Sequence, residues 1–191
     1  GGSSSPVASM NTLSIHELHT PRLPIFANAE RPHNAAKLLH EHNMFSRAYL
    51  LAHFCFEELG KIPIIVGAIG KLMAGESVDW KKLKKRFYSH TEKIASQNHH
   101  YYIFGLDVDL LRDTDLKWLS TAQEKVDKSF EFKNLATYVD VNGKNFLVPR
   151  EQISESASKD LLDLAFQCLN AHWLSENLTN PVLNELANKS I

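Results

Sequence analysis

Long apolar runs are missing from this chain. The most apolar stretch, 62–69 (IPIIVGAI), is far too short to cross a bilayer. No signal peptide is recognisable, so the expectation is a cytoplasmic protein with no membrane partner. Cysteine is scarce: Cys55 and Cys168 are the only two, both in apolar helical context. That excludes a disulfide scaffold and points to a reduced, intracellular chain. Charge of one sign is also lacking. The formal net charge is −1, so no global field draws the chain to nucleic acid or anionic lipid, and any basic surface must be local. There is no Gly-rich phosphate loop, no Cys-x-x-Cys and no Gly-x-Ser-x-Gly, hence no reason to expect a nucleotide cofactor or a serine nucleophile. Histidines are plentiful, but His16/His19, His40/His42 and His99/His100 stand without a Cys or a second spaced pair. The one Glu-x-x-His, Glu30 to His33, contains Pro32, and a di-iron bundle needs two intact copies. No metal and no cofactor are expected.

What is present is helical period. With 191 residues the chain has room for one domain with a proper core. Residues 1–9 (GGSSSPVAS) read as a cloning remnant ahead of Met10, and 10–24 as an extended lead-in holding Pro21 and Pro24. Residues 25–191 read as a single helical domain. Its first helix is expected over 25–42, with Pro32 either in its first turns or marking its start. The second is capped by Ser46 and runs towards Met73, kinked between Gly60 and Pro63 and closed by Gly75. The third begins near Val78 or Asp79 and carries Trp80, Leu83, Phe87, His90 and Ile94 as one stripe. Residues 105–115 are acidic and irregular, and 116–126 fit a short helix. In 136–148 (ATYVDVNGKNFLV) β-formers flank Asn142-Gly143, which predicts a hairpin with those two residues at its turn. From Ile153 the residues Ala157, Leu161, Leu164, Ala165, Cys168, Leu169 and Trp173 share a helical face. The fold class expected is all-α, a bundle of four to five helices with a small β-hairpin inserted before the last helix.

Three groups of residues carry chemistry. Glu57, Glu58 and Lys61 lie inside FCFEELGKIPIIV. Residues three or four apart are neighbours on a helix, so Glu57 can pair with Lys61, and His53 precedes Glu57 by another such step. Charges set among Phe, Cys and Ile are costly to bury unless paired. The expectation is that Glu57 or Glu58 pairs with Lys61 or with a cation of the third helix, either as an internal ion pair or as part of a catalytic or ligand site. The second group is KKLKKRFYSHTEKI: Lys81, Lys82, Lys84, Lys85 and Arg86 form a basic run, with Arg86, His90 and Lys93 at helical spacing beyond it. An imidazole beside cations suits phosphodiester chemistry, because His moves protons near neutral pH while Arg and Lys hold phosphate charge. The plainer reading is a solvated charged face. The third group is Arg47 and His53, with five residues between them. That spacing arises by chance roughly once in a chain of this composition, and a six-residue step turns about 240° on a straight helix.

The order of these pieces resembles the AbiV family of abortive infection proteins, within the HEPN superfamily. A helix rich in small and apolar residues (NAAKLLHEHNMFSRAYLLAHFCFEELGK) ends in Glu-Glu-Leu-Gly-Lys, Glu57 to Lys61. A His and a Lys three apart follow, His90 and Lys93, then Tyr-Val-Asp at Tyr138 to Asp140, then Pro149 ahead of the last long helix. The likeness spans about Ala27 to Leu169. It implies a helical bundle, a homodimer, and a defence function against phage that halts growth or translation. It also implies partners: RNA or the translation apparatus, and a phage-encoded activator protein. Many HEPN proteins are metal-independent ribonucleases that use an Arg and a His with four to six residues between them. Arg86 and His90 enclose three, while Arg47 and His53 fit the range. The catalytic set expected here is His90, Arg86, Glu57, Glu58 and Lys61, with Arg47 and His53 as the second choice. Lys81, Lys82, Lys84, Lys85 and Lys93 are expected to bind RNA.

Overall fold

The computed structural model describes residues 12–104 and 131–189. Within them the chain is all-α, with one two-stranded hairpin before the last helices. Ser14 starts the first helix, α1 (Ile15–His19), through a reciprocal capping box with Glu17. Helix α2 (Arg22–Glu41) begins directly afterwards. The expected extended lead-in is thus helical over much of its length. Ser14-x-x-Glu17 is the signal for it, and the two prolines do not oppose it, because Pro21 is the N-cap of α2 and Pro24 lies in its first turn. Pro32 lies in the middle of α2 rather than near its start.

Met44, not Ser46, precedes α3 (Phe45–Leu59). The kink expected near Pro63 is a break at Gly60, after which α4 (Lys61–Met73) begins. Gly75, at φ 73°, closes α4 with backbone bonds from Gly75 to Leu72 and from Glu76 to Lys71. Asp79 caps α5 (Trp80–Tyr88) by accepting from the Lys82 amide. The expected third helix is two: Ser89 takes an extended conformation, and α6 (His90–Phe104) starts anew. The expectations for 105–126 lie outside the described residues. Residues 131–137 are helical (α7).

The hairpin pairs β1 (Asp140–Asn142) with β2 (Asn145–Leu147) antiparallel, Val141 opposite Phe146. Its turn residues are Gly143 and Lys144, one place later than expected. Gly143 has φ 63° while Lys144 is not left-handed. A turn with positive φ only at its first central residue is of the II′ kind, so Gly alone meets the demand and Asn142 stays in the strand. Pro149 opens the short α8 (Pro149–Gln152), and Ser154 caps α9 (Glu155–Thr179), which α10 (Pro181–Lys189) follows.

Helix α3 is the axis of the molecule, packed along α2 on one side and α9 on the other, with α6 against its C-terminal half. Alanines make the close crossings: Ala29 and Ala36 of α2, Ala52 of α3 and Ala165 of α9 are fully buried. Phe56, Leu59, Ile62, Ile65, Ile94, Leu162 and Leu169 fill the space between. Of the apolar face expected on α9, Ala165, Cys168 and Leu169 are buried, whereas Trp173 is half-exposed. No described helix is long and apolar enough to cross a membrane.

Candidate functional site

Glu57 sits on the last turn of α3 and is 5% exposed. Its carboxylate is the centre of a cluster drawn from three helices. Oε1 lies 3.2 Å from His53 Nδ1, one turn earlier on α3, and accepts from Lys133 Nζ of α7 at 3.0 Å. Oε2 faces His90 Nδ1 at 2.5 Å and Lys93 Nζ at 3.5 Å, both from α6. Burial alone would raise the carboxyl. The interactions with His53, His90 and Lys133 outweigh it and hold Glu57 far below the usual carboxylate range. An ionised Glu57 fixes the proton of His90 on Nδ1, which leaves proton transfer to Nε2. His90 itself is exposed, 51% at its side chain. Two ammonium groups face one carboxylate, so the cluster is net positive even with neutral imidazoles. An anion arriving at His90 meets an attractive field.

Gly60 explains how α6 comes so near. A Cβ at Gly60 would stand 1.9 Å from the Lys93 carbonyl oxygen. The break between α3 and α4 therefore doubles as the seat on which the first turn of α6 rests, and only glycine allows that approach.

The sequence-predicted residues divide between this cluster and its surroundings. Glu57, His90, Lys93 and His53 come together. Glu58 does not join them; it pairs with Lys61 at 2.7 Å, and the Lys61 ammonium lies 5.9 Å from the centre of the Phe87 ring. Arg86 belongs to the other side of the α5–α6 junction, with Glu92 at 3.0 Å and Ser96 at 3.4 Å, so it does not share a helix face with His90. Ser89 is what separates them. Lys81, Lys82 and Lys85 are exposed and Lys84 is partly buried, whereas Lys93 is buried with its ammonium turned to Glu57. Arg47 is exposed and donates to the Thr137 carbonyl at 3.4 Å, away from the buried His53. Lys133 was not foreseen. It lies 76 positions from Glu57 in sequence, and nothing local marks it.

A second buried polar centre was missed altogether. Arg22 and Glu176, both fully buried, pair at 2.8 Å between α2 and α9. Arg22 also meets His19 Nδ1 at 2.9 Å and donates to the Thr179 hydroxyl at 2.7 Å, while Asn180 donates to the second Glu176 oxygen at 2.7 Å. Beside them the rings of His100 and His172 stack 3.6 Å apart. His172 contacts Gln97 at 2.6 Å and His100 contacts Ser175 at 3.0 Å. Burial, then the Arg22 charge, pushes His100 down to about 4. Burial and the neighbouring His100 push His172 well below its ordinary value. This centre is buried and ties α2, α6 and α9 together, a structural role. A groove of about 610 Å³ between α2 and α9, lined by Phe26, His33, Phe166 and Trp173, contains no member of the Glu57 cluster. Among the described residues no group of three or more His, Cys, Asp or Glu side chains could hold a metal ion. Cys55 and Cys168 are buried free thiols, both pushed up by burial, Cys168 to about 12.

The fold and the cluster define a helical domain that presents one imidazole on a buried carboxylate held below its ordinary range. The family model HEPN_AbiV, described as AbiV, matches residues 17–170, and the chain belongs to that family. No curated protein and no solved structure matches it.

Proposed function

We propose that the protein is an antiphage growth-arrest factor that acts in the cytoplasm as a homodimer and cleaves RNA without a metal ion. The observation that carries this reading is the contact between exposed His90 and buried Glu57. In the reaction, His90 Nε2 takes the proton of a ribose 2′-hydroxyl. The 2′ oxygen bonds to the adjacent phosphorus and the bond to the 5′ oxygen breaks, that oxygen taking a proton from solvent. The products carry a 2′,3′-cyclic phosphate and a 5′-hydroxyl. Glu57 orients His90 and stabilises the imidazolium that forms. Lys133 and Lys93 keep Glu57 ionised and give the site its positive excess. The exposed lysines of α5, with Arg86, supply the longer-range attraction for the RNA backbone. AbiV membership supports the defence role.

A second reading has an observation of its own. Each Glu57 oxygen already has two partners, an arrangement that also suits a keystone tying α3, α6 and α7 in a non-enzymatic module that binds RNA or a protein. The deciding experiment incubates purified protein with transfer RNA and total RNA in EDTA, beside His90→Asn. Discrete products with cyclic-phosphate ends from the parent and none from the variant support the enzyme. Intact RNA from both, with growth arrest retained by His90→Asn, supports the module.

A further inference from the structure

We infer that Phe54 is a stacking platform for an unpaired base next to the scissile phosphate, so that the site selects single-stranded RNA; this rests on the RNA reading above. Helix α3 is strongly apolar, and the residues that follow Phe54, Cys55 and Phe56, are buried. Phe54 stays 40% exposed. Its surroundings set it apart from the other exposed rings. Lys133 Nζ lies 5.6 Å from the centre of the Phe54 ring and at the same time donates to Glu57 Oε1, while His90 holds Glu57 Oε2. Ring, ammonium, carboxylate and imidazole are therefore consecutive members of one chain of contacts. A stacking ring and a proton acceptor are the groups that a nucleotide's base and 2′-hydroxyl call for, and the contacts through Lys133 and Glu57 tie both to one site.

The cation over the ring face anchors the platform. No other ring contact to Phe54 exists among the described residues, whereas Phe132, also exposed, packs against Tyr49 at 6.4 Å. Tyr88 is more exposed still, at 73%, but it ends the basic helix, and among the described residues no contact joins it to Glu57. Stacking needs a base free of its neighbours. A base inside a duplex must first be unstacked and unpaired, so a platform beside the reacting phosphate discriminates against double strands. Stacking of this kind acts on bound substrate and transition state alike, so it belongs in KM rather than kcat.

The test uses the full chain and one oligoribonucleotide carrying a 2-aminopurine, alone and annealed to its complement. The parent is expected to quench the fluorescent base in the single strand and to leave the duplex unchanged. Phe54→Ala is expected to lose the quenching and to raise KM roughly 5- to 150-fold, the usual range for one stacked base, with kcat nearly unchanged and the melting temperature kept. Phe54→Trp is expected to restore both quenching and KM, and does so even if the alanine variant folds poorly. Equal quenching and KM in Phe54→Ala, with the parent still cutting RNA, removes the platform and leaves the nuclease standing. A parent that prefers the duplex also overturns it. A parent that neither binds nor cuts either form removes the RNA reading and the platform together.

Discussion

Glu57 and His90 share one short contact, yet their environments assign them different weights in stability. Glu57 is buried among Lys93, Lys133 and two imidazoles, and Glu57→Gln keeps its shape while leaving two ammonium groups without their counter-charge. Breaking a buried pair from one side is worth about 3–5 kcal/mol, so this variant is expected to melt well below the parent and to lose growth arrest with it. His90 is exposed, and its removal leaves Glu57 with its three other partners. His90→Asn is expected to melt within a few degrees of the parent while RNA cleavage falls about 10²- to 10⁴-fold. Thermal melts and single-turnover cleavage on the two variants check the pair of expectations. A His90→Asn protein with full cleavage refutes the role given to this ring. The motif around Glu57 was legible because charges inside an apolar helix are conspicuous. Which of the two glutamates faces inward was not, since that depends on where the helix breaks.

Helix boundaries decide how the elements meet. Gly60 and Ser89 are the two breaks that matter: one ends α3 under Lys93, the other starts α6 at His90. A methyl group at Gly60 has no room, since the obstacle is the Lys93 backbone and not a movable side chain. Gly60→Ala is therefore expected to push the first turn of α6 away, to lengthen the contact between Glu57 and His90, and to abolish activity with a clear loss of stability. Gly75→Ala is the control. It lies in open space, and its φ of 73° makes it cost about 1–2 kcal/mol through backbone strain alone, with activity retained. Histidine NMR shifts and melting curves separate the two, and equal behaviour of both variants contradicts the seat proposed for Gly60. Gly75 foretold the end of α4, whereas Ser46 misplaced the start of α3. The break at Ser89 had no such signal, because Arg86, His90 and Lys93 keep helical spacing across it.

Across the whole molecule, α6 joins the two polar centres. His90 and Lys93 in its first turn serve Glu57; Gln97 and His100 further along pack against Ser175 and His172 of α9, beside Arg22. These buried histidines set an acid limit on the fold. His100 falls from its ordinary 6.5 to about 4 in the folded chain. Between those values the unfolded chain binds the proton and the folded chain does not, so stability declines as pH falls through that window. His172, stacked on His100 and facing the same Arg22, adds to the decline. Glu57 acts lower on the scale. Its depressed carboxyl contributes stability above the ordinary 4.5, which is lost as pH drops further. The melting temperature is expected to fall steadily from pH 6.5 to 4, and His100→Gln to flatten that slope. Parallel slopes for parent and variant would place the acid sensitivity elsewhere.

Helical period, capping residues and the Asn142-Gly143 pair were enough to establish an all-α chain with one hairpin, because these signals act over a few residues and survive without tertiary context. The resemblance to AbiV was readable for the same reason: Glu57 to Lys61, His90 with Lys93, and Pro149 stand in order along the chain. Tertiary structure alone decided that Lys133 and His90 meet on one carboxylate, that Arg86 turns to Glu92 instead, and that Arg22 finds Glu176 across 154 positions. Partners of a buried charge come from whichever helices the core brings against it. The pattern that packs those helices is written in alanines and isoleucines, and those residues do not record which polar groups they will bring together.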